Sequence, residues 1–420
     1  MTGRPLLVAT SALASLGDVM FGYSQGVIAA NQVQPLFIKR MFGKEVTMDQ
    51  IQMDVAGVNP FLVGLCISAL HGRIMSKDET IAAITASCLN ITALFSAVGS
   101  AHVCDAFGRR MAVRIGAVIY FISAFVLIFA PNLAVFILGR SIQGIAIGTL
   151  SLTVPILQCE IAPAHARGLF VSIEYIFLNS GVAISAWIGY GFFFATPSEI
   201  SWRGPYIIQA VLATVLFSWT FFLPETPRWL IRNGFHMEGL GTLADLHGTG
   251  DTSDPAIQAS YAEIAAALEK EKLLGDASWG QVFKQYTRRV IVGTTCQLFS
   301  QLNGINAILY FLPENLCRAG FAIPRALLYS GICALVFCAG TIPTMLLIDR
   351  WGRRPFLLAG SCSLAVTLAI IGGLQYHTDS LPFGDARVTT ANGIFAAVCL
   401  YLFFFGATWV LLHGYLQRTN

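Results

Sequence analysis

Apolar residues dominate this chain in long runs, separated by short polar breaks. A helix that crosses a bilayer needs roughly 20 mostly apolar residues. Segments of that kind lie near 5–29, 80–103, 111–130, 135–158, 169–193, 205–223, 289–311, 326–348, 356–376 and 391–412. Several are joined by very few residues, as at Pro131-Asn132, which makes their neighbours antiparallel. The first is longer than the apolar stretch of a secretory leader and is expected to be a span. Residues 61–70 are apolar but too short to cross, with Pro60 before them and His71 and Arg73 after. An additional crossing there would put Arg109 and Arg110 on the wrong side. The 61–80 stretch is therefore expected to be an interfacial or poorly ordered insert.

Composition agrees with lipid as the solvent. Of the 420 residues, 55% are hydrophobic and only 12% charged, about half the charged share of a soluble domain. The net charge of +3 and the lack of basic runs exclude a nucleic-acid partner. Ten cysteines are scattered through apolar segments without a C-x-x-C pair, so no metal site or disulfide framework is indicated. No cofactor is expected. A membrane-embedded enzyme would need a convergent set such as H-E-x-x-H or paired intramembrane aspartates. The sequence displays neither.

Basic residues set the orientation. Arg109, Arg110, Arg167, Arg228, Arg232, Arg288, Arg289, Arg350, Arg353 and Arg354 fall in loops on one side. Lys39, Arg40, Arg203 and Arg387 fall on the other. The first side is read as cytoplasmic, together with the N-terminus. The polar stretch 224–288 lies there and carries a helical pattern over 259–274, with Tyr261, Ile264 and Leu268 in register. It reads as an amphipathic linker between an N-terminal half (1–223, six helices) and a C-terminal half (289–420, about four).

An internal repeat supports two halves. Asp105-Ala106-Phe107-Gly108-Arg109-Arg110 returns as Asp349-Arg350-Trp351-Gly352-Arg353-Arg354, each between two spans. Glycine permits the tight turn, and the arginines suit helix C-termini and carboxylates. Repeated halves are a common way to build secondary transporters.

At this point the chain resembles the sugar porter family of the major facilitator superfamily, from Phe21-Gly22-Tyr23 to about Trp409. Beyond the repeated turn, the resemblance rests on Gly139-Arg140 with Gln143-Gly144 and Gly148, and then Glu160 and Arg167. It rests further on Pro224-Glu225-Thr226-Pro227-Arg228, and on Gln297 followed by Gln301-Leu302-Asn303-Gly304-Ile305-Asn306 and Tyr310. It implies an all-α membrane fold of twelve spans, of which about ten are visible, and alternating access to a central site. It also implies a monosaccharide or polyol as the solute. A multi-pass monomer in the plasma membrane is the expected form.

The residues themselves allow a physical reading of the site. A sugar needs amides, which donate and accept, and an aromatic surface. Gln297, Gln301 and Asn306 supply the amides on one broad helix face, and Gly304 permits a bend between them. The competing reading makes them interhelical glue. Trp409 is either an aromatic wall of the site or an interfacial anchor. Asp105, Arg109, Arg110, Glu160, Arg167, Glu225, Arg228, Asp349, Arg353 and Arg354 gather at the cytoplasmic edge. They form either a gate or a static topology signal.

Four positions depart from the family. Ser24 stands where proton-coupled members carry an acid, which leaves Arg140 without the partner the resemblance implies. Asp18 and Glu174 are the alternative proton carriers, or simply paired carboxylates. Tyr175, Ser300 and Phe337 replace polar positions of the site. Fewer amides suggest a pentose, a disaccharide or a cyclic polyol acid rather than plain glucose. Facilitated diffusion is favoured over proton symport. After Trp409 the chain lacks the family's last two spans, so truncation is expected. The alternative function is a non-transporting fragment or a solute sensor.

Overall fold

The computed structural model describes residues 3–43, 77–163, 167–274, 280, 284, 287–351, 353–381 and 385–409. The 61–70 segment and the residues after Trp409 lie outside them. The described residues are helical throughout, with turns between. In chain order the helices are α1 (Arg4–Gln32), α2 (Pro35–Phe42), α3 (Lys77–Phe107), α4 (Arg109–Ile128) and α5 (Leu133–Ile161). Then follow α6 (Arg167–Phe193), α7 (Ile200–Trp219), α8 (Pro227–Arg232), α9 (His236–His247) and α10 (Pro255–Leu274). The last five are α11 (Thr287–Leu302), α12 (Ile305–Ala319), α13 (Ile323–Trp351), α14 (Arg353–Ser380) and α15 (Asp385–Thr408).

Among the described residues, nine of these helices are long and apolar enough to cross a membrane. The seventh segment expected from the sequence, 289–311, is split into α11 and α12, and neither piece alone spans. Large apolar side chains such as Phe95, Leu94 and Val211 point outward, more than half exposed. Water would not tolerate so continuous an apolar belt, whereas acyl chains would. Polar side chains go the other way: Arg140, Gln143, Gln158 and Gln209 are fully buried in the bundle.

Close helix contact depends on small residues. A Cβ on Gly144 would stand 2.2 Å from the Leu89 carbonyl oxygen, and one on Gly148 would stand 2.3 Å from that of Ala93. This small-x-x-x-small row therefore lets α5 lie directly on the backbone of α3. Without a strong hydrophobic drive between helices in lipid, such fitting supplies much of the association energy. At the start of α5, Asn132 accepts a hydrogen bond from the Val135 amide at 3.0 Å and caps the helix after the short break that follows Ile128.

The first half has its own core, in which Leu7, Val113, Leu150 and Leu216 pack together. The second half is centred on Ile308, Phe337, Leu364 and Tyr401. Ala30, Val33 and Phe193 of the first half join that second core. The halves thus meet closely at the end of the bundle opposite the arginines, where a cleft lined by Ala29, Val182, Leu312 and Leu327 has a volume of only about 20 Å³.

The polar stretch folds against the arginine-rich end of the first half. Leu246 of α9 enters the core beside Leu7, Ile161 and Leu223. The Gly3 amide donates to the Asp245 carbonyl at 2.6 Å, and His247 Nε2 bonds the Ile161 carbonyl at 2.8 Å. Tyr261 and Ile264 of α10 pack on Leu243, Ala244 and Ile257. This linker is therefore docked along the first half, and its helix begins at Pro255, before the 259–274 pattern read from the sequence.

Candidate functional site

α11 ends because Gly304 takes a left-handed conformation, with φ of 85°. The carbonyl of Asn303 left free by the break accepts a hydrogen bond from the Tyr401 hydroxyl at 2.7 Å. Glycine at the break and tyrosine on α15 therefore stabilise a discontinuity at membrane depth. Such breaks are tolerated where they line a cavity or are buried in protein. Gln301 and Asn306 flank it, and Asn306 Nδ2 donates to Gln301 Oε1 at 2.6 Å. They meet across the break, whereas the sequence places them on one face of a continuous helix.

Both amides line a cavity of about 360 Å³ between the halves, within the size range of small-molecule sites. Its walls come from α1, α5 and α6 of the first half and from α11, α12, α13 and α15 of the second. Tyr175 and Tyr310 line it, with Ser300 and the rings of Phe21, Phe337 and Phe405. Gln297 is exposed on α11 and lies outside the lining. Trp409 also lies outside it, buried in the second core one turn beyond Phe405. Four of the six solute residues read from the sequence thus meet at one cavity.

Other polar residues there were not singled out by sequence. Asn179 is buried with its Nδ2 unpartnered, four residues after Tyr175 and on the same face of α6. Gln25 Nε2 donates to Asn90 Oδ1 at 3.2 Å, and Asn90 Nδ2 donates to the Tyr310 hydroxyl at 2.9 Å. That chain ties α1 and α3 to α12, one half to the other. An isolated asparagine inside an apolar run was the available signal, since an amide in lipid is costly unless it faces a cavity or a partner.

Asp18 and Glu174 open onto the same cavity from α1 and α6. Each is more than nine-tenths buried, and Asp18 Oδ2 and Glu174 Oε2 have no hydrogen-bond partner. Arg140 lies elsewhere in the first half, fully buried. Its Nη1 donates to the Ser24 carbonyl and to Gln143 Oε1, each at 2.9 Å, while Nε and Nη2 are unpartnered. The Ser24 hydroxyl turns back to the Phe21 carbonyl at 2.7 Å. Among the described residues no carboxylate reaches Arg140.

The charged constellation at the arginine-rich end is knit within the first half. Arg109 pairs with Glu160 at 2.9 Å and with Asp105 at 3.4 Å, and Arg232 reaches Asp105 at 3.3 Å. Glu225 accepts from the Arg109 amide at 2.9 Å and from the Arg110 amide at 3.2 Å. It thereby caps α4 and meets the positive end of the helix dipole. Gly108 just before α4 has φ of 90°, and a Cβ there would strike the Glu225 carboxylate at 2.4 Å. Burial pushes the Glu225 carboxyl above the ordinary glutamate range, against the pull of those amide bonds. Arg228 pairs instead with Glu271 of α10. The side chains of Arg167, Asp349 and Arg353 lie outside the described residues, and Arg354 is exposed.

Comparison with known proteins fits this arrangement. A family model described as "Sugar (and other) transporter" matches residues 10–414. The MFS-type transporter criB of Aspergillus cristatus is 28% identical over 97% of this chain and 80% of its own length. The MFS glucose transporter mfs1 of Aspergillus flavus is 32% identical over 67% of this chain, and the high-affinity glucose transporter of Kluyveromyces lactis 30% over 82%. The chain spans only 54% and 66% of the length of those two glucose transporters. Among solved structures, the xylose transporter XylE from E. coli in a partially occluded inward-open conformation superposes with a TM-score of 0.74. It is 21% identical, over 98% of this chain and 87% of its own. XylE bound to 6-bromo-6-deoxy-D-glucose gives 0.76 at 21% identity, over 99% of this chain and 82% of its own. At that identity the likeness is one of fold, that of the major facilitator superfamily.

Proposed function

The chain belongs to the sugar (and other) transporter family, and on that premise we propose that it moves a monosaccharide or related polyol across a membrane by alternating access. It is a multi-pass membrane protein and a transporter rather than an enzyme. The observation that carries the reading is the amide pair Gln301 and Asn306. It flanks a broken helix and faces a cavity built by both halves. A rocking motion of one half against the other would expose that cavity to alternate sides. Amides beside aromatic faces suit a ring of hydroxyls. A monomer is the proposed form.

The finer assignments follow the same residues. The arginine-rich end is cytoplasmic and carries the N-terminus, with the plasma membrane as the site of action. Arg109, Glu160, Asp105 and Glu225 form the cytoplasmic latch of the first half, with Arg167, Asp349 and Arg353 as its further members. Each of the more exposed pairs is worth only about 0–1 kcal/mol, but together with the largely buried Arg109–Glu160 pair they bias two states a few kcal/mol apart. With Ser24 beside it, Arg140 has no titrating partner among the described residues, so that position lacks a group to exchange a proton for a charge. Transport is accordingly assigned to facilitated diffusion. The test is counterflow of labelled D-glucose and D-xylose in proteoliposomes. Exchange should be saturable and should proceed without an imposed gradient. Absence of exchange for both sugars overturns the reading.

A further inference from the structure

A buried carboxylate in a membrane bundle is expensive, and two facing one cavity repel each other. Structures keep such groups where a counter-charge is close. Here none is: the cavity that Asp18 and Glu174 share has no Lys, Arg or His in its described lining. Both carboxylates are more than nine-tenths buried, and each has an oxygen without a hydrogen-bond partner. The nearest elements supply neutral groups, namely Ser151 of α5, Asn179 of α6 and Ser300 of α11. Arg140 is committed to Ser24 and Gln143 and does not line the cavity. The site therefore has an acidic wall on α1 and α6 and an amide wall at the α11–α12 break. The rings of Phe21, Tyr175 and Phe337 stand among them.

We infer that Asp18 and Glu174 are a cation subsite of the transport cavity, and that the preferred solute is a polyol or sugar bearing a protonated amine. The ammonium would satisfy the unpartnered oxygens through charge-assisted hydrogen bonds, which are shorter and stronger than neutral ones. The aromatic faces favour a cation over an anion for the same electrostatic reason. The hydroxyls would then reach Gln301 and Asn306 on the opposite wall. A sugar acid meets an acidic wall and is disfavoured. This inference rests on the transport reading, and it names the solute class of the same cavity.

Calorimetric binding of D-glucosamine, D-glucose and D-gluconate to the purified full chain near neutral pH tests it. Glucosamine should bind about tenfold more tightly than glucose, the size of one charge-assisted hydrogen bond, and gluconate should bind weakest. Glu174→Gln and Asp18→Asn should each narrow the glucosamine-to-glucose ratio to about twofold. The ranking in the unmodified protein stands even where a variant fails to fold. Equal affinity for glucosamine and glucose overturns the inference. If uptake then follows an imposed pH gradient and Glu174→Gln abolishes that drive, a proton meets the charge instead. Failure of all three sugars to bind overturns the transport reading too, whereas binding without a charge ranking overturns this inference alone.

Discussion

Among the described residues, the first half buries a guanidinium without a carboxylate partner and two carboxyl groups without a basic one. Arg140 is fully buried and leans on a main-chain carbonyl and an amide, with two of its nitrogens unpartnered. Asp18 and Glu174 face an open cavity and lack any basic neighbour in its described lining. The difference lies in access. Arg140 is enclosed by protein, so its charge is compensated by fixed dipoles and changes little between states. The carboxylates border space that a solute can fill, so their compensation can come and go. A buried charge becomes part of a transport cycle only where its partner is able to leave.

The strongest way to break that contrast is to supply the missing cation permanently. Glu174→Lys places an ammonium on the cavity wall that Asp18 also lines. Glucosamine binding should fall by about a hundredfold or more, since the subsite is filled and its net negative charge cancelled. The thermal midpoint should not fall, because a like-charge pair has become an ion pair. Calorimetry and a melting curve on one preparation check both outcomes. Unchanged glucosamine affinity would place the carboxylates outside the solute's reach.

The opposite wall should respond differently. Gln301→Ala removes an amide held by Asn306 and not a charge. The Michaelis constant for uptake should rise about tenfold, about 1.4 kcal/mol. The rise should be similar for glucosamine and glucose, because both offer the same hydroxyls. A loss confined to one of them would mean that the two walls do not act separately. Unchanged kinetics at normal surface expression would remove Gln301 from the site.

At the latch, glycine separates geometry from charge. Gly108→Ala forces a side chain into a left-handed turn and against the Glu225 carboxylate. A loss of about 1–3 kcal/mol is expected in unfolding measurements. Glu225→Gln keeps one acceptor for the α4 amides and should cost less, about 1 kcal/mol. The raised position of the Glu225 carboxyl makes the neutral substitute a mild change. If Gly108→Ala proves neutral, the turn is more plastic than its φ of 90° implies.

Much of the fold was legible because lipid imposes a coarse rule: long apolar runs become spans, and basic loops mark one side. Gly304 marked a place where a helix could bend, and there the chain breaks between α11 and α12. Less visible was the break itself, which depends on Tyr401 reaching back to the Asn303 carbonyl from another helix. Glu225 could be assigned to a charged edge, but its role as the cap of α4 depends on a tertiary approach. Asp18 and Glu174 were read one by one, each as a substitute for the acid missing at position 24. Their common cavity follows from the packing of α1 and α6 against the second half, which periodicity along one helix does not encode. Asn179 was passed over for a simpler reason: a lone amide in an apolar run reads as glue until a cavity is found beside it.

The smallest expected change in stability comes from restoring the anion at Arg140. Ser24 is fully buried and its carbonyl already accepts from Arg140 Nη1. In Ser24→Asp, a carboxylate is added beside a guanidinium that still has two unpartnered nitrogens. Desolvating the new carboxylate costs several kcal/mol, and the paired geometry returns a similar amount. The net shift in unfolding free energy should therefore stay within about 1 kcal/mol. Function should change more than stability, because a titrating group now faces a fixed charge. Proteoliposomes carrying Ser24→Asp should concentrate labelled solute under an imposed pH gradient, and a protonophore should abolish the accumulation. The unmodified protein should only equilibrate it. Accumulation by the unmodified protein would show that Asp18 or Glu174 already serves as the proton carrier. A steep loss of stability in Ser24→Asp would show that Arg140 has no room for a partner and that its isolation is structural.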